Sequence, residues 1–294
     1  LTKGLILRPD AAGAGLLLAL LASAPATAGD AGDATAGDPC PPVQSRPELG
    51  LMGTIPIFWG EAASPAEVIA GTAETHWARP LLERAYRLRP LDTLDASALS
   101  GLSLLLLAQP RALSPAENVA LDEWVRGGGR LLLFADPLMT GESRFPLGDK
   151  RRPQDVTLLS PILDHWGLSL QFADGDGNAR EAEAGGPPIP LQYPGHFAPL
   201  AEGSDCTLAA EGALARCRIG DGAGLILADA ALLDLHGENA GAPRALAWLA
   251  AQAYAKAGAD AGNRGTAGGE EDNTRNSYTC MLNAEGGGEG EPGG

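Results

Sequence analysis

A three-layer α/β fold built on a mostly parallel sheet is predicted by three features of this chain. Two are short leucine-rich runs, Leu102 to Ala108 and Leu131 to Ala135, nearly unbroken in the way of strands buried on both faces. The third is the segment between them, which carries both helix punctuation marks. Ser114 supplies an N-cap, Pro115 stands at the first helical position, and Glu117 falls three residues after the cap. Val119, Leu121, Trp124 and Val125 follow at helical spacing, and Gly127-Gly128-Gly129 ends the helix. A strand-helix-strand unit of this length is a right-handed parallel crossover. Open α/β sheets bind ligands beyond the carboxyl ends of their strands, which puts Gln109-Pro110 and Asp136-Pro137 on the functional rim.

The remaining elements read in order. Residues 29–50 are rich in Gly, Ala, Asp and Pro and form a linker. Leu51 to Trp59 is the first strand, with Gly60-Glu61 directly after it. A short helix starts at Ser64-Pro65 and is limited by Gly71; Thr75 caps a longer one through His76, Trp77, Leu81, Leu82 and Ala85. Tyr86 to Leu91 is a strand and Asp95 to Leu99 a helical turn. The polar stretch 140–157, with Lys150-Arg151-Arg152, is a long surface loop of the kind that often carries function. Ser160-Pro161 opens a helix through Leu163 and Trp166, stopped by Gly167, and Leu168 to Phe172 is a strand. Residues 173–200 form an irregular extension or a small β-subregion. A hairpin at 206–218, a turn at Asp221-Gly222, a buried strand from Gly224 to Ala228 and a helix from Pro243 to Lys256 complete the domain, 51–257. No internal repeat is present. The Gly/Glu-rich stretch 258–294 is expected to be a disordered acidic tail.

The first 28 residues read as a cleaved export signal: Lys3 and Arg8, an apolar core from Ala14 to Leu21, and Ala26-Thr27-Ala28 as the cleavage site. That core is well short of the roughly 20 residues that span a bilayer. The expectation is a mature protein, periplasmic or secreted, with no membrane span. A formal net charge of -16 excludes the basic footprint that nucleic-acid binding needs and opposes docking on anionic lipid. In an oxidising compartment Cys206 and Cys217, which bracket a Glu211-Gly212 turn, are expected to form a cross-hairpin disulfide, with ~2–3 kcal/mol of stabilisation in the chain-entropy picture. Cys40 and Cys280 lie in the two low-complexity flanks, and the sequence leaves their pairing open.

Candidate ligand-binding residues are Glu61, His76, Gln109, Asp136 and Asp229. Asp136 and Asp229 end buried strands. There a carboxylate can hold a sugar hydroxyl, a cation or an amine, but it commonly caps the next turn by accepting backbone N–H bonds. Glu61 and His76, with Trp77, would suit a sugar-binding rim or serve ordinary surface and core roles. His165, His196 and His236 have packing, loop-anchoring or rim roles in the same sense. Asp174, Asp176 and Asn178 copy the first ligand positions of a calcium loop, yet Ala179 and Gly185 stand where its glycine and bidentate glutamate belong. No metal or cofactor site is expected. A Gly-x-Ser-x-Gly elbow, a phosphate-binding loop and a His-Glu-x-x-His helix are all absent.

The runs DEWVRGGGRLLLFADP (122–137) and GDGAGLILADAALLD (220–234), with the helix that follows, resemble class I glutamine-amidotransferase-like domains of flavodoxin-like fold. Within that group the chain is most similar to the soluble auxiliary domain of gliding-motility-type (GldG-like) ABC transporter proteins and related exported proteins. The resemblance covers roughly 51–137 and 216–253. It implies a sheet that binds a ligand or partner and is usually non-catalytic. Active amidotransferases carry a nucleophilic cysteine on the elbow after the glycine run; here Asp136-Pro137 stands in that place, and Pro137 has no N–H to offer an oxyanion. The expected function is therefore a non-catalytic accessory module of a cell-envelope ABC-type transport system. Its partners would be the transporter's membrane components or a small polar or carbohydrate ligand. The alternative is a periplasmic hydrolase or carbohydrate-active enzyme using the strand-end carboxylates.

Overall fold

The computed structural model describes residues 40–62, 64–72, 74–172, 179–200, 204–233, 241–255 and 270–282. Along the chain these form β1 (Glu48–Gly53), α1 (Pro65–Ala70), α2 (Ala78–Ala85), β2 (Arg87–Pro90), α3 (Ala96–Leu99), β3 (Leu104–Ala108), α4 (Pro115–Arg126) and β4 (Arg130–Phe134). The second half contains α5 (Ser160–His165), β5 (Leu168–Gln171), β6 (Arg180–Ala182), β7 (Ile189–Leu191), β8 (His196–Pro199), β9 (Cys206–Ala209), β10 (Leu214–Ile219), β11 (Gly222–Leu227), α6 (Ala242–Tyr254) and α7 (Glu270–Leu282). The expected export signal, the acidic turn at 174–178 and His236 lie outside the described residues.

Seven strands make the central sheet, in the order β2-β1-β3-β4-β11-β10-β9. The first five are mutually parallel, while β10 and β9 are antiparallel additions at one edge. The parallel part thus runs second, first, third, fourth, fifth, the order of a doubly wound sheet whose direction of winding reverses between β1 and β3. Alternation along each strand assigns its side chains to two cores. Leu49, Leu51, Leu106, Leu132, Phe134, Leu225 and Leu227 face a layer containing α2, α6 and α7. Met52, Leu105, Leu107, Leu131, Leu133 and Ile226 face α3, α4 and α5. Two small antiparallel pairs, β5-β8 and β6-β7, fill the region between α5 and the hairpin.

The crossover helix α4 follows its sequence signals closely. Ser114 Oγ accepts from the Glu117 N–H at 3.3 Å and Glu117 returns a bond to the Ser114 N–H at 2.9 Å, a complete capping box. Glu117 also accepts from Leu94 N and from Arg111, whose guanidinium holds its carboxyl down at about 2. Ser114→Ala is expected to cost about 1 kcal/mol in denaturant unfolding. A change within a few tenths would show that Glu117 alone secures this helix start.

Three expectations are corrected. The first strand is Glu48–Gly53, not Leu51–Trp59, so the expected linker 29–50 ends inside the sheet. The chain leaves the sheet because Thr54 and Ile55 bond to Gln109 O and Ala108 O and Pro56 has no N–H to extend the ladder. The second helix begins at Ala78 without a Thr75 cap; His76 Nδ1 accepts from the Ala78 N–H at 3.1 Å instead. The 206–218 hairpin forms as expected, and it makes the edge of the main sheet, with Leu214 and Cys217 in the two buried cores. Part of the expected tail, 270–282, is helical, with Cys280 and Met281 buried. Composition masked the one apolar turn in that stretch, Tyr278 to Leu282.

Both cysteine pairs are disulfides. Cys206 and Cys217 face each other directly across β9 and β10, Cα atoms 4.0 Å apart, the close approach of a non-hydrogen-bonded antiparallel pair. Cys40 and Cys280 are joined across a sequence separation of 240.

Candidate functional site

The register levels the carboxyl ends of four parallel strands. Gly53 pairs with Ala108, Ala108 with Phe134, and Phe134 with Leu227. The residues just beyond this row therefore share one rim, and Gln109, Asp136 and Asp229 are among them. Gly53 is required there: a Cβ would stand 2.0 Å from Ala108 O. This close approach lies at the reversal point between β1 and β3, where such sheets usually bind ligands.

A continuous line of hydrogen bonds crosses the rim. Thr54 donates to Gln109 O from its N–H at 3.0 Å and from its hydroxyl at 2.5 Å. Gln109, held at φ 49°, uses its side-chain amide as a second backbone. Its Oε1 accepts from the Asp136 N–H at 2.8 Å, and its Nε2 donates to Asp136 O and Gln154 O, both at 2.9 Å. The Gln154 N–H donates back to Thr54 Oγ1 at 2.9 Å, so the 138–157 loop is stitched to the ends of β1, β3 and β4.

Asp136 continues the line. Its Oδ1 accepts from the Leu138 N–H at 2.8 Å and its Oδ2 from the Ala230 N–H at 2.9 Å, which joins β4 to the turn after β11. Asp229 accepts from the Ala231 N–H at 2.6 Å and from the Gln192 N–H at 2.7 Å, fastening the segment after β7. Each carboxylate thus makes the capping bond to the residue two ahead and one long-range bond. Both are essentially inaccessible, at 1% and 0% exposure. Burial raises Asp136 from the ordinary aspartate value to about 6. It also raises Asp229, with the Asp136 charge as the next cause, while Arg180 pulls the other way.

The other two candidates lie elsewhere. Glu61 accepts from the Ser143 hydroxyl at 2.5 Å and the Arg144 N–H at 2.8 Å, and Arg144 also pairs with Glu67 at 3.7 Å. This ties the loop after β1 to the 138–157 loop. His76 is buried beneath the start of α2. With Nδ1 accepting from Ala78, its proton is assigned to Nε2, which reaches Leu233 O at 3.0 Å. His196 contacts Gln171 Oε1 at 3.1 Å, and His165 joins Asp122 at 3.3 Å beside Trp166 and Arg126. Sequence reasoning missed Thr54, Gln154 and Gln192. The only available signal was the hydroxyl of Thr54 directly after β1, since the other two act in the rim through backbone groups.

Among the described residues, no group of three or more His, Cys, Asp or Glu is placed to hold a metal ion. Among the same residues, no helix is long and apolar enough to cross a membrane.

No curated protein matches the chain. Several solved structures share a weak likeness with the chain. The exo-β-1,4-mannosidase Op5Man5 of Opitutaceae bacterium strain TAV5 matches at TM-score 0.38 and 14% identity, over 65% of this chain and 32% of its own. A β-galactosidase from Rahnella sp. R3 matches at 0.37 and 12%, over 63% and 28%. A cytoplasmic protein of Salmonella typhimurium LT2 matches at 0.36 and 12%, over 57% and 79%. The chain spans a third or less of the two glycosidases, and at these scores none of the three carries an argument about activity. Residues 47–173 match the family described as an ABC-type uncharacterized transport system, and over that stretch the resemblance to transporter auxiliary domains holds.

Proposed function

We propose that this chain is a non-catalytic accessory module of an ABC-type transport system of the cell envelope, exported and engaged through its loop surface. The family match over 47–173 carries the reading. The rim geometry supports its non-catalytic half. A carboxylate that works on a substrate must come within hydrogen-bond reach of it, whereas Asp136 and Asp229 are essentially inaccessible, with each oxygen turned to a backbone N–H. The surface above them is formed by the 138–157 loop, pinned through Glu61, Gln109 and Thr54. Two disulfides suit an oxidising compartment.

Crosslinking in the native host, followed by purification under denaturing conditions, tests the reading. The expected product joins this chain to a membrane component of an ABC transporter, at equal yield for the parent and for Asp136→Asn. Hydrolysis of a glycoside by the purified chain, lost in Asp136→Asn or Asp229→Asn without loss of folding, would overturn it.

A further inference from the structure

The helix α7 is held to the domain in an unusual way. Its first six positions, Glu270 to Arg275, are all polar in sequence, and among its described side chains only Cys280 and Met281 are fully buried, with Tyr278 and Leu282 partly so. A helix of this length has little stability of its own in water. Its last turn lies on the apolar surface shared by α2 and α6, among Leu82, Ala85, Tyr86 and Tyr254. Tyr86 and Tyr254 meet edge to face there, ring centroids 5.5 Å apart. The covalent hold comes from the opposite end of the chain. Cys40 is half-buried, and the segment after it is fixed independently of α7, through Arg46 to Glu83 O at the carboxyl end of α2.

We propose that the Cys40–Cys280 disulfide is a redox latch, whose reduction by a dithiol frees α7 from α2 and α6 and bares their shared apolar face while the sheet stays folded. The reductant's thiolate attacks the sulfur of half-buried Cys40 rather than that of fully buried Cys280, and Cys280 leaves as a thiolate that takes up a proton. The second thiol of the reductant then displaces Cys40 from the mixed disulfide. The dithiol ends as its own disulfide, and two electrons and two protons have passed to the two cysteines. The Cys206–Cys217 bond is no such latch, because β10 is also held in the sheet by its ladder with β11 from Leu214 to Ile219.

Amide hydrogen exchange on the folded full chain, before and after treatment with dithiothreitol, tests the proposal. Reduction should speed exchange in 270–282 by about 100-fold or more. It should also raise exchange in 78–85 and 242–254, and leave β3, β4 and β11 protected. The Cys40→Ser/Cys280→Ser variant should show the same pattern without reductant. The Cys206→Ser/Cys217→Ser variant should keep α7 protected until dithiothreitol is added. Protection of α7 that survives reduction, or its loss only together with that of the sheet, would overturn the latch.

Discussion

Gln109→Leu is expected to destabilise the protein by about 3–5 kcal/mol. The leucine leaves the buried Asp136 N–H and the Gln154 carbonyl without their partners, and an unmet buried group costs about 1–3 kcal/mol each. Asp136 O suffers less, because the Thr157 N–H still reaches it at 2.9 Å. Leucine must also hold the left-handed φ of 49°, which glutamine tolerates here only because its side chain bridges two strand ends. Gln109→Gly separates the two causes. It loses the same bonds but relieves roughly 1 kcal/mol of backbone strain, so it should be the less damaged variant. Denaturant unfolding of both, with hydrogen exchange at Gln154, measures this. A leucine variant within 1 kcal/mol of the parent would mean that the rim is not held by Gln109.

The elements most legible in the sequence were those whose stability is local or doubly buried. α4 was readable because capping chemistry and apolar spacing agree, and β3, β4 and β11 because leucine runs leave little choice of structure. The end of β1 is illegible because LMGTIPIFW is apolar apart from Thr54, and the strand's end is decided by a partner distant in sequence, the Gln109 carbonyl. α7 was missed for a related reason, since its place depends on one covalent bond to Cys40 and a single apolar turn. Gln109, Asp136 and Asp229 stand just beyond the strand ends, where their position after leucine runs puts them. Their bonding was illegible, because the partners of the two aspartates are backbone N–H groups of Leu138, Gln192, Ala230 and Ala231, which no side-chain pattern announces. Glu61 and His76 have the right residue types for a ligand site, yet each is committed to joining segments far apart in sequence, 143–144 in one case and Leu233 in the other.

The buried aspartates should give the protein a stability profile opposite to that of most carboxylates. In the unfolded chain Asp136 releases its proton near the ordinary value of 3.8, whereas in the folded protein burial delays release to about 6. Between those values the folded state binds more protons than the unfolded one, so stability must fall as pH rises. The favourable contribution is fully present below about pH 4 and is lost as pH passes 6. The difference of some two units corresponds to about 3 kcal/mol for Asp136. Asp229, raised by the same burial and by the Asp136 charge, extends the decline to higher pH. Glu117 acts in the reverse sense: its contribution is complete above about pH 5 and is lost progressively as pH falls toward about 2, equally in parent and variant. Asp136→Asn supplies the control. It keeps one acceptor oxygen but turns an amide NH2 toward a backbone N–H, which costs roughly 1–3 kcal/mol at low pH. It also removes one titrating group and the charge that opposes ionisation of Asp229. The fall in unfolding free energy between pH 4 and 7 should therefore be visibly shallower in the variant than in the parent. Parallel profiles for the two proteins, or a parent whose stability climbs through this range, would show that the pair ionises freely at the rim and that the strand ends are more open to water than their bonding implies.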